Sequence, residues 1–186
     1  MERKNRGFLK NLFIISGLCT LFLAGCGYTT RSLIADKYQS VYITPFVNKI
    51  DFISETEVAN KYRVYRPMLE SEITKAIIDK FIADGNLQVV KKESADLILT
   101  GDLVEFRKDP LRYTDNDDVA EYRLNMVINM KLLDTIHNKI VWEENGFTGD
   151  FSYFTTGPLA QSEDDAVNSA VRDLARRIVE RTVEQW

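Results

Sequence analysis

The stretch EYRLNMVINMKLLD, residues 121–134, decides how this chain folds. Tyr122, Leu124, Met126, Ile128, Met130 and Leu132 hold alternate positions. Arg123, Asn125, Asn129 and Lys131 lie between them, interrupted only by Val127. Side chains alternate across a β-strand, so a period of two describes a strand with one face in a core and the other in water. His137-Asn138 then reads as a hairpin turn, and KIVWEENGF (139–147) as the returning strand. Upstream, ADLILTGDLVEF (95–106) is a further strand, with Gly101 marking a bulge. Residues 87–91 form a short strand, and SVYITPFV (40–47) another, with Pro45 at an edge position or at its end.

Two segments carry helical spacing instead. Leu69, Ile73, Ala76, Ile77 and Phe81 recur every three or four residues, with Pro67 suited to the first turn and Gly85 to the C-cap. Val167, Ala170, Val171, Leu174, Ile178 and Val179 form a second apolar stripe. Ser162 and Asp165 resemble a capping box ahead of it, with Asp in place of Glu or Gln. Residues 48–66 mix helix formers with Tyr62, Val64 and Tyr65 and read as a long connection. The order strand, helix, run of strands, helix predicts an α+β two-layer sandwich. Two helices pack on one face of a mostly antiparallel four-stranded sheet, and the polar set of 121–133 lies on the other face.

The N-terminus is a different kind of sequence. Arg3, Lys4, Arg6 and Lys10 precede an apolar run, Leu12–Leu23, that is too short for a comfortable transmembrane helix of about 20 residues. The run ends in Leu23-Ala24-Gly25-Cys26, which resembles a bacterial lipobox. Residues 1–25 are expected to be a cleaved signal peptide and Cys26 the lipidated first residue of the mature chain. Cys19 leaves with the leader, so no disulfide is expected. Gly27 stands where Asp would retain a bacterial lipoprotein in the inner membrane, which implies the outer membrane. Residues 26–39 are then the lipidated N-terminus and tether, and 40–186 a single domain.

Catalytic signatures are sparse. His137 is the one histidine, and no Gly-x-Ser-x-Gly elbow or Gly-rich phosphate loop occurs. Asp115, Asp117 and Asp118 would need Glu at 126 to continue a calcium loop, and Met126 stands there. The expectation is a protein that is not an enzyme and needs no cofactor or metal. The net charge of −4 becomes more acidic once the basic leader is removed, which disfavours nucleic acid as a partner. Anionic ligands would have to use local clusters: Lys91-Lys92, Arg107-Lys108 with Arg112, and Arg123 with Lys131.

Taken in order, Cys26-Gly27-Tyr28, Arg31, ITPFVN (43–48), the helix at 67–84, ADLILTGDL (95–103), EYRLNMVINMKLLD, IVW (140–142) and a C-terminal helix ending at Trp186 resemble the LPS-assembly lipoprotein family LptE. The chain departs from it in lacking Leu-Arg-Gly after Tyr28 and in the length of 48–66. The resemblance implies a lipid-anchored outer-membrane protein facing the periplasm or a barrel lumen. Such a protein plugs the β-barrel LptD, assists its assembly and helps deliver lipopolysaccharide to the outer leaflet. Arg107, Lys108, Arg112, Arg123, Asn125, Asn129 and Lys131 are the candidate lipopolysaccharide or barrel contacts. The ITPFVN and ADLILTGDL phrases also resemble lipoproteins of curli-type exporters and pores, which is the alternative. A lipid-tethered hydrolase is a more distant one.

Overall fold

The computed structural model describes Ile34, residues 37–51 and residues 62–184. The signal-peptide and lipidation readings at 1–26 lie outside the described residues, as do the first residues of the tether.

Among the described residues there are six strands and two α-helices: β1 (Ser40–Ile43), β2 (Val47–Asn48), α1 (Leu69–Asp84), β3 (Gln88–Val89), β4 (Leu97–Tyr113), β5 (Val119–Asp134), β6 (Lys139–Phe154) and α2 (Glu163–Val183). The sheet runs β3-β1-β4-β5-β6, with β2 also paired to β4. β1 is parallel to both β3 and β4, β2 is parallel to β4, and β4-β5-β6 is an antiparallel meander. The expected α+β architecture with two helices is therefore present, but the sheet is mixed and six-stranded rather than mostly antiparallel and four-stranded. The reason lies at one edge of β4. β1 covers residues 97–99, β2 covers 102–103, and Arg63 bridges Arg107 further along. Three short segments share the edge of one long strand, and Pro45 separates the first two.

The meander is longer than the hydrophobic runs suggest. β4 has 17 residues, about 55 Å at 3.3 Å each. β5 buries Leu124, Met126, Ile128, Met130 and Leu132, as its period requires. α1 buries Leu69, Ile73, Ile77 and Phe81, and α2 buries Val167, Ala170, Val171, Leu174, Ile178 and Val179. These side chains join one core with Leu97, Leu99, Leu103 and Phe106 of β4. The core also takes in Ile34 and Tyr38, so packing begins within the stretch read as tether.

Local details sharpen several expectations. Helix α1 starts at Leu69, so Pro67 lies ahead of its first turn, and Met68 occupies the N-cap in the left-handed region. Gly85 is the left-handed C-cap, with its N–H donated to the Phe81 carbonyl. Gly101 is not at a bulge; the register of β4 shifts between Leu103 and Glu105. A Cβ at Gly101 would lie 2.1 Å from Phe46 Cε1, so glycine is there to let the buried ring of Phe46 approach the strand. Asp117 adopts a positive φ in the β4–β5 turn, where Thr114 accepts the Asp118 amide, so this acidic run forms a tight turn.

The helix-free face of the sheet as candidate functional site

The strand registers sort the candidate residues by face. Arg107 pairs with Asn125 and Asp109 with Arg123 in β4–β5, while Lys131 stands between Thr100 of β4 and Glu143 of β6. All of these alternate with core positions and point away from the helices. Arg112 pairs with Glu121 on the same side. Six of the seven candidates, Arg107, Arg112, Arg123, Asn125, Asn129 and Lys131, therefore share one surface.

That surface is charge-mixed rather than basic. Arg107 donates to Asp109 Oδ1 at 2.7 Å and to Glu105 Oε1 at 3.4 Å. Arg112 Nη2 is 3.6 Å from Glu121 Oε2, and Lys49 Nζ is 2.8 Å from Asp102 Oδ2. The Asp109 hydrogen bond is the leading reason that the Arg107 guanidinium is held even more firmly protonated than usual. A polar hollow of about 250 Å³ opens on this face, lined by Thr44, Thr100, Asp102, Asn129, Lys131 and Glu143 among others. Beside it β6 bulges. Gly146 takes a positive φ there, and its N–H is donated to Asn129 Oδ1 at 2.8 Å. Asn129 is thus a positioning group as well as a surface one.

Lys108 is placed differently from its neighbour. It faces the helices, where its Nζ is 2.6 Å from Glu163 Oε2 and 4.8 Å from the Tyr122 ring centroid. Tyr122 stacks on Tyr153 at 5.9 Å between centroids. Burial, then the nearby Glu163 carboxylate, pushes the Tyr153 hydroxyl up to about 12. A second hollow of about 310 Å³ lies beside Lys108, lined by Tyr62, Val64, Pro110, Tyr113 and Tyr122 among others. Arg107 and Lys108 are adjacent in sequence but on opposite sides of the sheet, so they make no common anion clamp.

One polar cluster carried no sequence signal. Asp134 is fully buried at the end of β5. It accepts the Tyr38 hydroxyl at 2.7 Å, the amides of Ile136 and His137 at 2.9 and 3.0 Å, and lies 2.7 Å from His137 Nδ1. Burial pushes this carboxyl up, but the hydrogen bonds from Tyr38 and from the His137 amide and ring outweigh it. The group is held well below the usual carboxylate range. His137 thus sits in its turn as expected, with a buried acid as partner. Among the described residues no set of three or more His, Cys, Asp or Glu is arranged to hold a metal ion.

The helix-free face is open and polar, with a shallow hollow and paired charges. The lipopolysaccharide-assembly family LptE matches residues 38–182. The chain belongs to the LptE family. This makes it a lipopolysaccharide-assembly protein, from a family that is not one of enzymes. No curated protein matches the chain significantly. Among solved structures, a hypothetical protein from Chlamydia trachomatis is 14% identical and has a TM-score of 0.50, with 78% of this chain and 95% of that one covered. A minor lipoprotein from Acinetobacter baumannii is 16% identical at a TM-score of 0.46, with 78% and 93% covered. The first likeness is one of fold alone. The LptE match begins at Tyr38, the residue whose hydroxyl is bonded to Asp134.

Proposed function

We propose that this LptE-family chain is an outer-membrane lipoprotein, acylated at Cys26 after removal of residues 1–25. In this reading it plugs the lumen of an LptD-type β-barrel, assists the barrel's assembly and helps deliver lipopolysaccharide to the outer leaflet. Residues 26–39 lead from the anchor into one domain that ends with α2. The observation that carries the reading is the helix-free face. It is polar along most of three long strands, and several of its cations already have acidic partners on the chain. Outer-membrane barrels have polar interiors. A body that enters one must not bury uncompensated charge, because breaking or stranding a buried ion costs several kcal/mol, about 3–5 when one partner is removed. The paired charges of Arg107 with Asp109 and Arg112 with Glu121 meet that requirement. Arg123, Asn125, Asn129 and Lys131 supply donors for lipopolysaccharide phosphates or for polar groups of the lumen.

The deciding experiment is affinity purification of the full chain from its native membrane, with co-purifying proteins identified by mass. A one-to-one complex with a large β-barrel supports the plug. Recovery as a ring of this chain without such a barrel would support the exporter reading instead and overturn this one.

A further inference from the structure

The helix-free face changes character at one end. Tyr42 of β1 pairs with Ile98 of β4, Ile98 with Leu133 of β5, and Leu133 with Ile140 of β6. Tyr42, Ile98 and Leu133 alternate with core residues, and Ile140 joins them by its pairing with Leu133 across the register shift of β6, so the four form an apolar row across four neighbouring strands on the otherwise polar face. Ile140 is 51% exposed, and Ile136, at the tip of the adjoining β5–β6 turn, is 62% exposed. At about 4.8 Å between strands, the row is about 15 Å wide.

Two further observations say what lies against it. The chain enters the fold at this same end. Ile34 is buried, its carbonyl accepts the amides of Lys37 and Tyr38, and Tyr38 is bonded to Asp134 beside the turn. Ile34 is eight steps along the chain from Cys26. At 3.3–3.6 Å per residue they reach about 29 Å at most. Lysines also gather at this end, where the Asp134 carboxylate is buried and already partnered. Lys37 and Lys139 are exposed at the entry and the turn, and Lys91 and Lys92 are exposed in the crossover from β3 to β4. Against them stand Glu93 and Asp96, and the Asp96 carboxylate already accepts the amides of Gln39 and Ser40.

We infer that this end of the domain is a membrane-contacting surface. The Tyr42-Ile98-Leu133-Ile140 row and Ile136 rest at the headgroup boundary of the leaflet that holds the anchor, and the flanking lysines meet anionic phospholipid headgroups. An apolar surface with cations at its rim is the pattern of proteins that lie on a bilayer rather than cross it. The Asp134 cluster is the positioning device. Its carboxylate holds the first amides of the turn and the Tyr38 hydroxyl together, which fixes Ile136 relative to the point where the tether arrives. The inference rests on the reading of Cys26 as the lipidated residue.

The test uses the full, processed chain reconstituted on vesicles of phosphatidylethanolamine and phosphatidylglycerol. Acylation of Cys26 leaves no other cysteine, so Ile136→Cys provides a unique thiol for an environment-sensitive fluorophore. Leu159→Cys, 75% exposed after the far end of β6, provides the control. Acyl mass on Cys26 is checked in both. The expected result is about threefold stronger quenching of the label at 136 than at 159 by a lipid-borne quencher, weakened when phosphatidylglycerol is omitted. Equal quenching at the two positions with acyl mass present would overturn the membrane surface and leave the anchor reading standing. A label at 136 shielded from water before vesicles are added would overturn it in favour of a second copy on the row. Absence of acyl mass would overturn the anchor reading and this inference together.

Discussion

Asp134 has the most consequential single environment in the molecule. Its carboxylate is out of water, and four donors on three residues hold it ionised. The alternation of 121–134 places it on the core side, where a carboxylate has no reason to be unless partners arrive from elsewhere. Tyr38, 96 residues away, is one of them. Because the folded-state value lies below the ordinary carboxylate value of about 4, the group stabilises the fold above that pH. The contribution is lost as pH falls through the folded value. Asp134→Asn should therefore be less stable than the natural chain at pH 7, with the gap narrowing below about pH 4. Urea midpoints of both forms between pH 7 and pH 2.5 measure this, and a gap independent of pH would contradict it. Gly101 is a second case in which residue type was legible and cause was not. The glycine in a strand pattern suggested a bulge, while the structure uses it to admit Phe46, which comes from a different segment. Gly101→Ala should cost about 1–3 kcal/mol through overpacking, read from the denaturation midpoint, because the buried Phe46 ring has nowhere to move.

At the scale of elements, the long periodic segments were the legible ones. β5 and both helical stripes follow from spacing alone, since burial of one face forces the period of two or of three to four. Helix α2 also has a readable start. Ser162 Oγ accepts the Asp165 amide at 3.1 Å and donates to Asp165 Oδ2 at 2.7 Å. The aspartate is one methylene shorter than the usual Glu of a capping box, and it bonds the cap hydroxyl. Ser162→Ala should cost about 1 kcal/mol and fray the first turn beside Glu163, detectable as faster amide exchange at residues 164–166. Unchanged exchange would mean that the Lys108–Glu163 and Arg66–Asp164 pairs fix this end without the cap. Of the short strands, β3 was legible within 87–91, while β1 and β2 read as one strand, 40–47. β1 and β2 have four and two residues, too few to express a period, and what makes them strands is the free edge that β4 offers, while β3 pairs in turn with β1. The parallel pairing follows from that geometry, and with it the mixed sheet.

For the molecule as a whole, the arrangement of charge on the helix-free face is the property that the proposed function draws on. Replacing Arg123 and Lys131 together by Gln should leave the fold intact, because both are exposed and no like charge is set opposite Asp109 or Glu143. It should also reduce barrel recovery in the co-purification about tenfold, a loss of about 1.4 kcal/mol. Recovery unchanged from the natural chain would remove these two residues from the interface. The same experiment with Arg107→Glu is a poorer probe, since it sets a third acid beside Glu105 and Asp109. For the anchor, Cys26→Ser should leave an uncut precursor that fractionates away from the outer membrane. Normal processing of that variant would refute the lipobox reading.

Local pattern alone was enough to determine the two helices, the central strand with its wet and dry faces, the acidic balance and the resemblance to the LptE family. Each of these is encoded in residues that are neighbours along the chain or repeat at a fixed spacing. Other features were decided only by the tertiary structure. Arg107 and Lys108 part company across the sheet, Tyr38 meets Asp134, Phe46 meets Gly101, and an apolar row forms from Tyr42, Ile98, Leu133 and Ile140. All of these depend on strand register, which is set by pairing between distant segments, and register decides which isolated residues become neighbours on a face.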